Sequence, residues 1–142
     1  MKDQFTIYFE DGMPRGTAQQ KGYNRRTGQY YQKANVEAAS RQFYYALLPH
    51  RPKVPSGRPI RLVVWFAWEI KKKNMWGKYK PTRPDTDNYI KEFKDVMTRL
   101  GFWNDDAQVV DERIIKVYAD KASATVYWEE LEDSPWGWDE YG

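Results

Sequence analysis

The chain of 142 residues contains no cysteine. That absence removes disulfides, thiolate nucleophiles and Cys-ligated zinc together. Histidine is almost as scarce. His50 is the only one, set in the loop-like stretch LLPHRPKVP, where a surface or capping role is expected of it. A Ser-His-Asp triad or a multi-histidine metal centre would have to be built on that single residue, so neither is expected. No apolar run approaches the roughly 20 residues of a membrane-spanning helix. The opening MKDQFTIYFEDG turns polar too early for a secretory signal, and the expectation is a cytoplasmic protein with no membrane partner. Internal repeats and low-complexity segments are also lacking.

What the chain has in quantity is aromatic and charged residues: seven Trp, eleven Tyr and six Phe, with 30% of all side chains charged. Such a mixture supports one hydrophobic core, and the length is too small for two comfortable domains. The net charge of +3 conceals an asymmetry. Residues 129–142 carry Glu129, Glu130, Glu132, Asp133, Asp139 and Glu140 and no Lys or Arg. Without those acids, residues 1–128 hold 23 basic against 14 acidic side chains, a balance of +9. A basic body suits a polyanion, because each phosphate contact releases counterions. A merely solvated surface has the same composition, and charge alone does not separate the two.

The expected class is α/β of the α+β type, a small mixed sheet flanked by two helices in the order β-α-β-α-β-β. Residues 4–9 alternate and are rich in β-branched and aromatic side chains, which predicts a strand. Residues 10–34 form a basic arm punctuated by Asp11-Gly12, Gly16 and Thr27-Gly28, with a short extended piece at Tyr30-Tyr31. Residues 35–48 read as a helix capped by Asn35, with Val36, Ala39, Phe43, Ala46 and Leu47 on one stripe and Pro49 as its stop. Residues 60–70, the most apolar run, predict a central strand. A basic loop, 71–84, follows. Ile90, Phe93, Met97 and Leu100 then recur at helical steps, ended by Gly101. Two strands complete the domain, expected as an antiparallel pair with a hairpin turn at Lys121. One domain is therefore expected over 1–130, and residues 131–142 form an acidic, Trp-rich tail.

Acids gather at both edges of the second helix. Asp85 and Asp87 stand in TRPDTDN, where Pro84 disfavours helix and Thr86 or Asp87 can cap it. In an extended approach, positions 85 and 87 project to one side. Asp105 and Asp106 lie beyond the helix, which is roughly 20 Å long. The two acidic ends meet only if the chain folds back, for instance with Asp106 beside the first helical turn. Lys91 shares a helix face with Asp87. Carboxylates without histidine or thiolate suit a hard divalent cation such as Mg2+, and a nearby lysine can hold a phosphate. A purely structural alternative stands beside this one. Acids complement a helix N-terminus, Asp105-Asp106 can shape a turn, and Lys91 can pair on the helix surface. A lone Asp-x-Asp also occurs in haloacid-dehalogenase phosphatases and nucleotide-sugar transferases, but the first should follow an apolar strand directly and the second need a far longer chain.

The stretch RPDTDNYIKEFKDVMTRLGFWNDDAQVVDERIIKVYA is more specific. A basic lead-in, Asp-x-Asp-Asn, a Lys four residues on, an Asp at the helix end, Gly-aromatic and Asp-Asp-x-Gln-Val occur in order and without gaps. It is similar to the signature region of the RusA family of Holliday-junction resolvases, many of them phage- or prophage-encoded. The resemblance implies a RusA-like nuclease domain over 1–130. It implies Asp85, Asp87 and Asp106 as metal-binding catalytic acids, Lys91 as catalytic lysine and Asp105 as a supporting acid at the metal. It further implies Mg2+ as cofactor, with Mn2+ as a substitute, and a homodimer that resolves four-way DNA junctions by paired symmetric nicks in recombination and repair. The 71–84 loop looks longer than is usual in the family, and the tail looks additional. For DNA, the residues expected to serve are Lys21, Arg25 and Arg26 in the arm and Lys71, Lys72, Lys73, Trp76, Lys78, Lys80 and Arg83 in the loop. There, basic groups alternate with aromatic faces. Met75 or Trp76 is a candidate wedge at the junction centre, and packing of Trp76 on the domain's edge is the alternative. A nuclease of other branched or flap DNA, and a non-catalytic structure-specific DNA-binding protein, remain as competing readings.

Overall fold

The computed structural model describes residues 1–15, 21–24, 26, 29–32 and 34–135. Six strands and two helices follow one another as β1 (Lys2–Tyr8), β2 (Lys21–Asn24), β3 (Gln29–Gln32), α1 (Ala34–Leu47), β4 (Ile60–Glu69), α2 (Thr86–Leu100), β5 (Val109–Ala119) and β6 (Ser123–Glu130). The main sheet has the strand order β1-β6-β4-β5, and β2 pairs with β3 in a separate ribbon inside the basic arm. The expected order β-α-β-α-β-β is met, and the extended piece expected at Tyr30-Tyr31 is β3.

The expected terminal hairpin is not there. β5 and β6 are consecutive in sequence but lie on opposite sides of β4, β5 parallel to it and β6 antiparallel. Residues 120–122 pass over the end of β4, where Ile70 N donates to Ala119 O and Phe9 N donates to Ala122 O, both at 3.0 Å. A short polar turn between two strand-like runs fits this crossing as well as it fits a hairpin. The apolar content of β4 decides between them, because that strand needs a neighbour on each edge. Ile60, Leu62, Val64 and Phe66 of β4 are fully buried against the helices. Their opposite-facing neighbours are more exposed, up to Trp65 at 43%. Both helices lie on this one side, since the same core holds Phe43 and Leu47 of α1 and Ile90, Phe93, Met97 and Leu100 of α2.

The helix boundaries shift slightly. Asn35 is the second residue of α1 and not its cap, and residue 33 lies outside the described residues. Ala39, Phe43 and Leu47 are buried as the stripe requires, while the side chain of Val36 is outside the description. Gly101 ends α2 at φ +85°, a left-handed conformation that glycine adopts without a Cβ penalty. Behind it, Phe102 and Trp103 drop into the core. His50 is partly exposed at the end of a short 3-10 turn and stacks on Phe5 at 4.1 Å. The tail begins docked, with Leu131 N donating to Pro59 O and Arg58 pairing with Asp133 at 3.2 Å, and residues 136–142 lie outside the description. Among the described residues, no helix is long and apolar enough to cross a membrane.

Phe66 sits in an aromatic cluster, 4.8 Å from Tyr89 and 5.2 Å from Phe93 between ring centroids. Phe66→Ala should cost about 3–5 kcal/mol of unfolding free energy. Urea denaturation checks this, and a loss below about 1 kcal/mol would mean that the cluster does not hold α2 on the sheet.

Candidate active site

Asp85 is the N-cap of α2 by position, one residue before the caps expected from sequence. Its φ, ψ of −67°, 144° is extended, and Tyr89 N donates to its carbonyl at 3.1 Å. The carboxylate itself makes no capping hydrogen bond. Pro84, immediately before Asp85, is joined to Arg83 by a cis peptide. Asp87 lies inside the first turn, so the two-residue period of an extended chain does not relate it to Asp85. Both acids are exposed, as is Lys91 one turn further on. The Asp85 side chain therefore does not close the helix by a hydrogen bond, and it acts on its surroundings through its charge, as at Lys116.

Asp105 behaves differently. It caps the short 3-10 turn at Asp106–Gln108, its carboxylate accepting from Ala107 N at 2.9 Å. Gln108 completes the cap by accepting from Asn104 N and Asp105 N, and its amide donates to Ser56 O and Arg58 O. The turn is thus fastened to the segment before β4. Asp105 takes the turn-shaping role, while Asp106 beside it is exposed. The signal was present in the sequence, for Asp-x-x-Gln is the spacing of a capping box.

These two acidic groups do not meet within one chain. Lys116 of β5 donates to Pro84 O at 2.6 Å, which ties the Asp85 end of α2 to the late part of β5. Lys94, in mid-helix, pairs with Glu112 at 2.9 Å. Asp106 precedes Val109, where β5 starts. Seven strand residues between Val109 and Lys116 span roughly 23 Å, and the 15 residues of α2 give about the same length. Asp106 consequently stands beside the last turn of α2 and not the first, some 20 Å from Asp85 and Asp87 by the same measure. Among the described residues, no three acidic or histidine side chains come close enough together to hold a metal ion.

The loop leading to Asp85 is held by two lysines, one of which sequence reading missed. Lys116 Nζ donates to the carbonyls of Thr82 and Pro84, and Lys80 Nζ to Thr82 Oγ1 and the carbonyl of Arg83. Burial lowers the pKa of both below the ordinary lysine range. For Lys116 the neighbouring Lys80 ammonium adds to this, and Asp85 acts in the opposite sense. Lys80 also lies over the Trp68 ring, 5.3 Å from its centroid. Its ammonium is engaged with its own chain, so it positions the loop where a phosphate ligand was expected. Residues 77–80 run along β5 in a short ladder, with Gly77 N donating to Tyr118 O, Tyr118 N to Lys78 O and Lys80 N to Lys116 O. An interior strand position gave Lys116 no motif of its own, which is why it escaped notice.

The remaining basic residues gather at the same end as Asp85. Lys71, Lys72, Lys73, Lys78 and Arg83 are exposed on the loop. The Trp76 indole N–H donates to Ile70 O at 2.7 Å, and the ring is 40% exposed, an anchored arrangement that favours packing on the domain's edge. The arm springs from the same end, since the buried Tyr89 hydroxyl donates to Pro14 O at 2.6 Å. Burial raises that hydroxyl's pKa well above the ordinary tyrosine value. Within the arm, Lys21 opens β2 and Arg26 is exposed, while Arg25 lies outside the described residues.

If Lys116 and Lys80 hold the 77–85 segment, Lys116→Met should speed amide exchange at Lys80 and Tyr118 by about tenfold, because two charge-assisted bonds are lost. Hydrogen exchange followed by NMR reads this directly. Unchanged rates would mean that the ladder alone fixes the segment.

Comparison with known proteins agrees with this architecture. The family model described as Endodeoxyribonuclease RusA matches residues 11–127. A crossover junction endodeoxyribonuclease rusA of Lactococcus phage r1t is 37% identical over 112 residues, covering 75% of this chain and 83% of the phage protein. An uncharacterized protein of Bacillus subtilis, YqaN, is 31% identical over 139 residues, covering 87% of this chain and 92% of its own length. Crossover junction endodeoxyribonuclease RusA of Escherichia coli K12 is 54% identical over a shorter stretch of 35 residues, 25% of this chain and 29% of that protein. With the family model extending from the basic arm to β6, the chain belongs to the RusA endodeoxyribonuclease family.

Proposed function

We propose that this protein is an Mg2+-dependent endonuclease that resolves four-way DNA junctions as a homodimer, by paired nicks on opposed strands. The reading is carried by one observation. Asp85 and Asp87 present exposed carboxylates at the N-terminus of α2, Asp85 without capping duty, at the end of the domain where the basic loop and arm also emerge. The family and the name of the phage relative support the same chemistry.

One chain supplies only part of a cation site. Asp85 and Asp87 offer hard oxygen ligands, a donor set that suits Mg2+ and accepts Mn2+ as a substitute, but two carboxylates leave most of the coordination sphere open. The third acid is at the far end of α2. A second chain with its α2 running the opposite way resolves the difficulty, because Asp106 of the partner subunit then reaches the Asp85 end, and the reverse holds by symmetry. A two-fold dimer carries two such sites, which suits a branched substrate of near two-fold symmetry. A divalent cation held by these carboxylates would supply Lewis acidity for phosphodiester hydrolysis. Lys91, exposed one turn beyond Asp87, is placed to hold the scissile phosphate and offset charge that grows on it. Lys71, Lys72, Lys73, Lys78 and Arg83 supply phosphate contacts, with the arm residues Lys21, Arg25 and Arg26 as a second strip. The setting proposed for this activity is DNA recombination and repair in the cytoplasm.

Co-expression of Asp85→Asn and Asp106→Asn chains tests the arrangement. Each variant alone should lose at least roughly a hundredfold in junction cleavage. Mixed dimers should keep one intact site, so nicking returns to about a quarter of the wild-type level, as single instead of paired cuts. No recovery would place all ligands within one chain. Cleavage that persists in EDTA, or that treats linear duplex and flap DNA as readily as a four-way junction, would remove the resolvase reading itself.

A further inference from the structure

A cavity of about 280 Å³ is lined by Tyr8, Phe9, Glu10, Glu69, Lys121 and Ala122. Tyr8 and Glu69 are the last residues of β1 and β4, and Lys121 and Ala122 belong to the crossing that leads into β6. This is the end of the sheet near Asp85. Trp68, next to Glu69, has its ring 5.2 Å from that of Tyr89, and Tyr89 N donates to the Asp85 carbonyl. The lysines of the basic loop begin two residues beyond Glu69, at Lys71. Phe9 and Ala122 are buried and apolar, the Tyr8 residue is 62% exposed, and Glu10, Glu69 and Lys121 are exposed. The Lys121 ammonium lies 6.0 Å from the centroid of the Tyr8 ring. Among the described residues, none of Glu10, Glu69 and Lys121 forms an ion pair.

We infer that this cavity takes an unpaired guanine of bound DNA, its ring stacked on Tyr8 and its N1–H and N2 amino group donating to the carboxylates of Glu10 and Glu69. This rests on the reading of the protein as one that binds branched DNA. Two carboxylates beside a run of lysines are unfavourable for a phosphate strand, which they repel. An ionised carboxylate only accepts hydrogen bonds, so the part of DNA that suits it is one that donates. Those donors lie on the bases. In a duplex the donors of the pairing edge are spent on the opposite strand, whereas an unpaired base at a branch point presents them.

The donor pattern selects the base. Guanine alone presents two neighbouring donors, N1–H and the N2 amino group, on its pairing edge. Adenine and cytosine each place a ring-nitrogen acceptor beside their one amino group, and thymine has a carbonyl on either side of its N3–H. An acceptor set against a carboxylate leaves both without a proton, which costs affinity. The flat face of the base is met by Tyr8, whose cross-strand neighbour Ser123 is too small to cover its ring. Stacking of this kind is tolerant of base identity. Lys121, lining the same cavity, offers an ammonium to the phosphate that adjoins the base. Tyr8 thus supplies affinity, and the two acids supply selection.

The test measures binding of the full chain in EDTA, so that no cutting intervenes. Four-way junctions carry a single unpaired nucleotide at the branch point: guanine, adenine, cytosine or thymine in turn. The wild type should bind the guanine form about tenfold more tightly than the other three. The double variant Glu10→Gln, Glu69→Gln should lose that preference, because each amide puts donors where only acceptors stood. A merely electrostatic role for the acids would instead raise all four affinities together on substitution, from a wild type that shows no preference. Tyr8→Leu should weaken all four by about tenfold and a fully paired junction far less. Thermal melting verifies that the variants are folded. Equal wild-type affinity for the four bases, or a guanine preference that survives the double variant, overturns the inference and leaves junction resolution standing. Failure of the wild type to bind any junction removes the resolvase reading, and this site with it.

Discussion

Two parallel neighbouring strands can be joined only by a connection that returns the full length of the sheet. β4 and β5 are such a pair, and α2 is that connection. The placement of the acids follows from it. A helix that must travel back along the strands cannot have both its ends at one place, so Asp85 and Asp87 mark one end of the domain and Asp106 the other. The Lys116–Pro84 and Lys94–Glu112 contacts show α2 lying antiparallel along β5 with almost no slack. A site that used all three acids would accordingly need more than one chain.

The return path also explains why so much of the surface near Asp85 is organised by lysines. The segment between β4 and α2 must reverse direction, cover part of the β5 edge and deliver Asp85 in an extended conformation. Carbonyl groups of Thr82, Arg83 and Pro84 point into this reversal, and the ammonium groups of Lys80 and Lys116 gather them. Holding two ammonium groups close together in a partly buried place is unfavourable, as the lowered pKa of each reflects. Four hydrogen bonds from the two ammonium groups to one short loop offset that cost. At the opposite end of α2 the solution is different: one glutamine side chain ties the Asp105 turn to two carbonyls of the segment before β4. Asp85 and Asp106 are thus each presented by a braced turn, and the bracing is done by their neighbours, Asp105 among them.

Much of this was legible from local pattern. The stripes of α1 and α2, the Gly101 stop and the apolar run of β4 follow from periodicity and terminator chemistry, and the family resemblance rests on a gapless run of residues from Arg83 to Ala119. The errors share a cause. The hairpin expected between the last two strands and the expected meeting of Asp106 with the first turn of α2 were each inferred from neighbours in sequence. In each case a distant segment decided the outcome. β4 inserted itself between β5 and β6, and β5 set the direction of α2.

Sequence alone determined which residues can do chemistry here. In a chain with no cysteine and one histidine, carboxylates are the main ligands for a hard cation and lysines and arginines the charges that meet a phosphodiester, and the spacing of the acids on either side of an amphipathic helix can be counted directly. Tertiary structure alone decided which of those carboxylates stay free and how far apart they stand. Side-chain type is a local property, whereas separation depends on the direction in which a helix packs, and that direction is set by parallel pairing between strands about fifty residues apart in the chain.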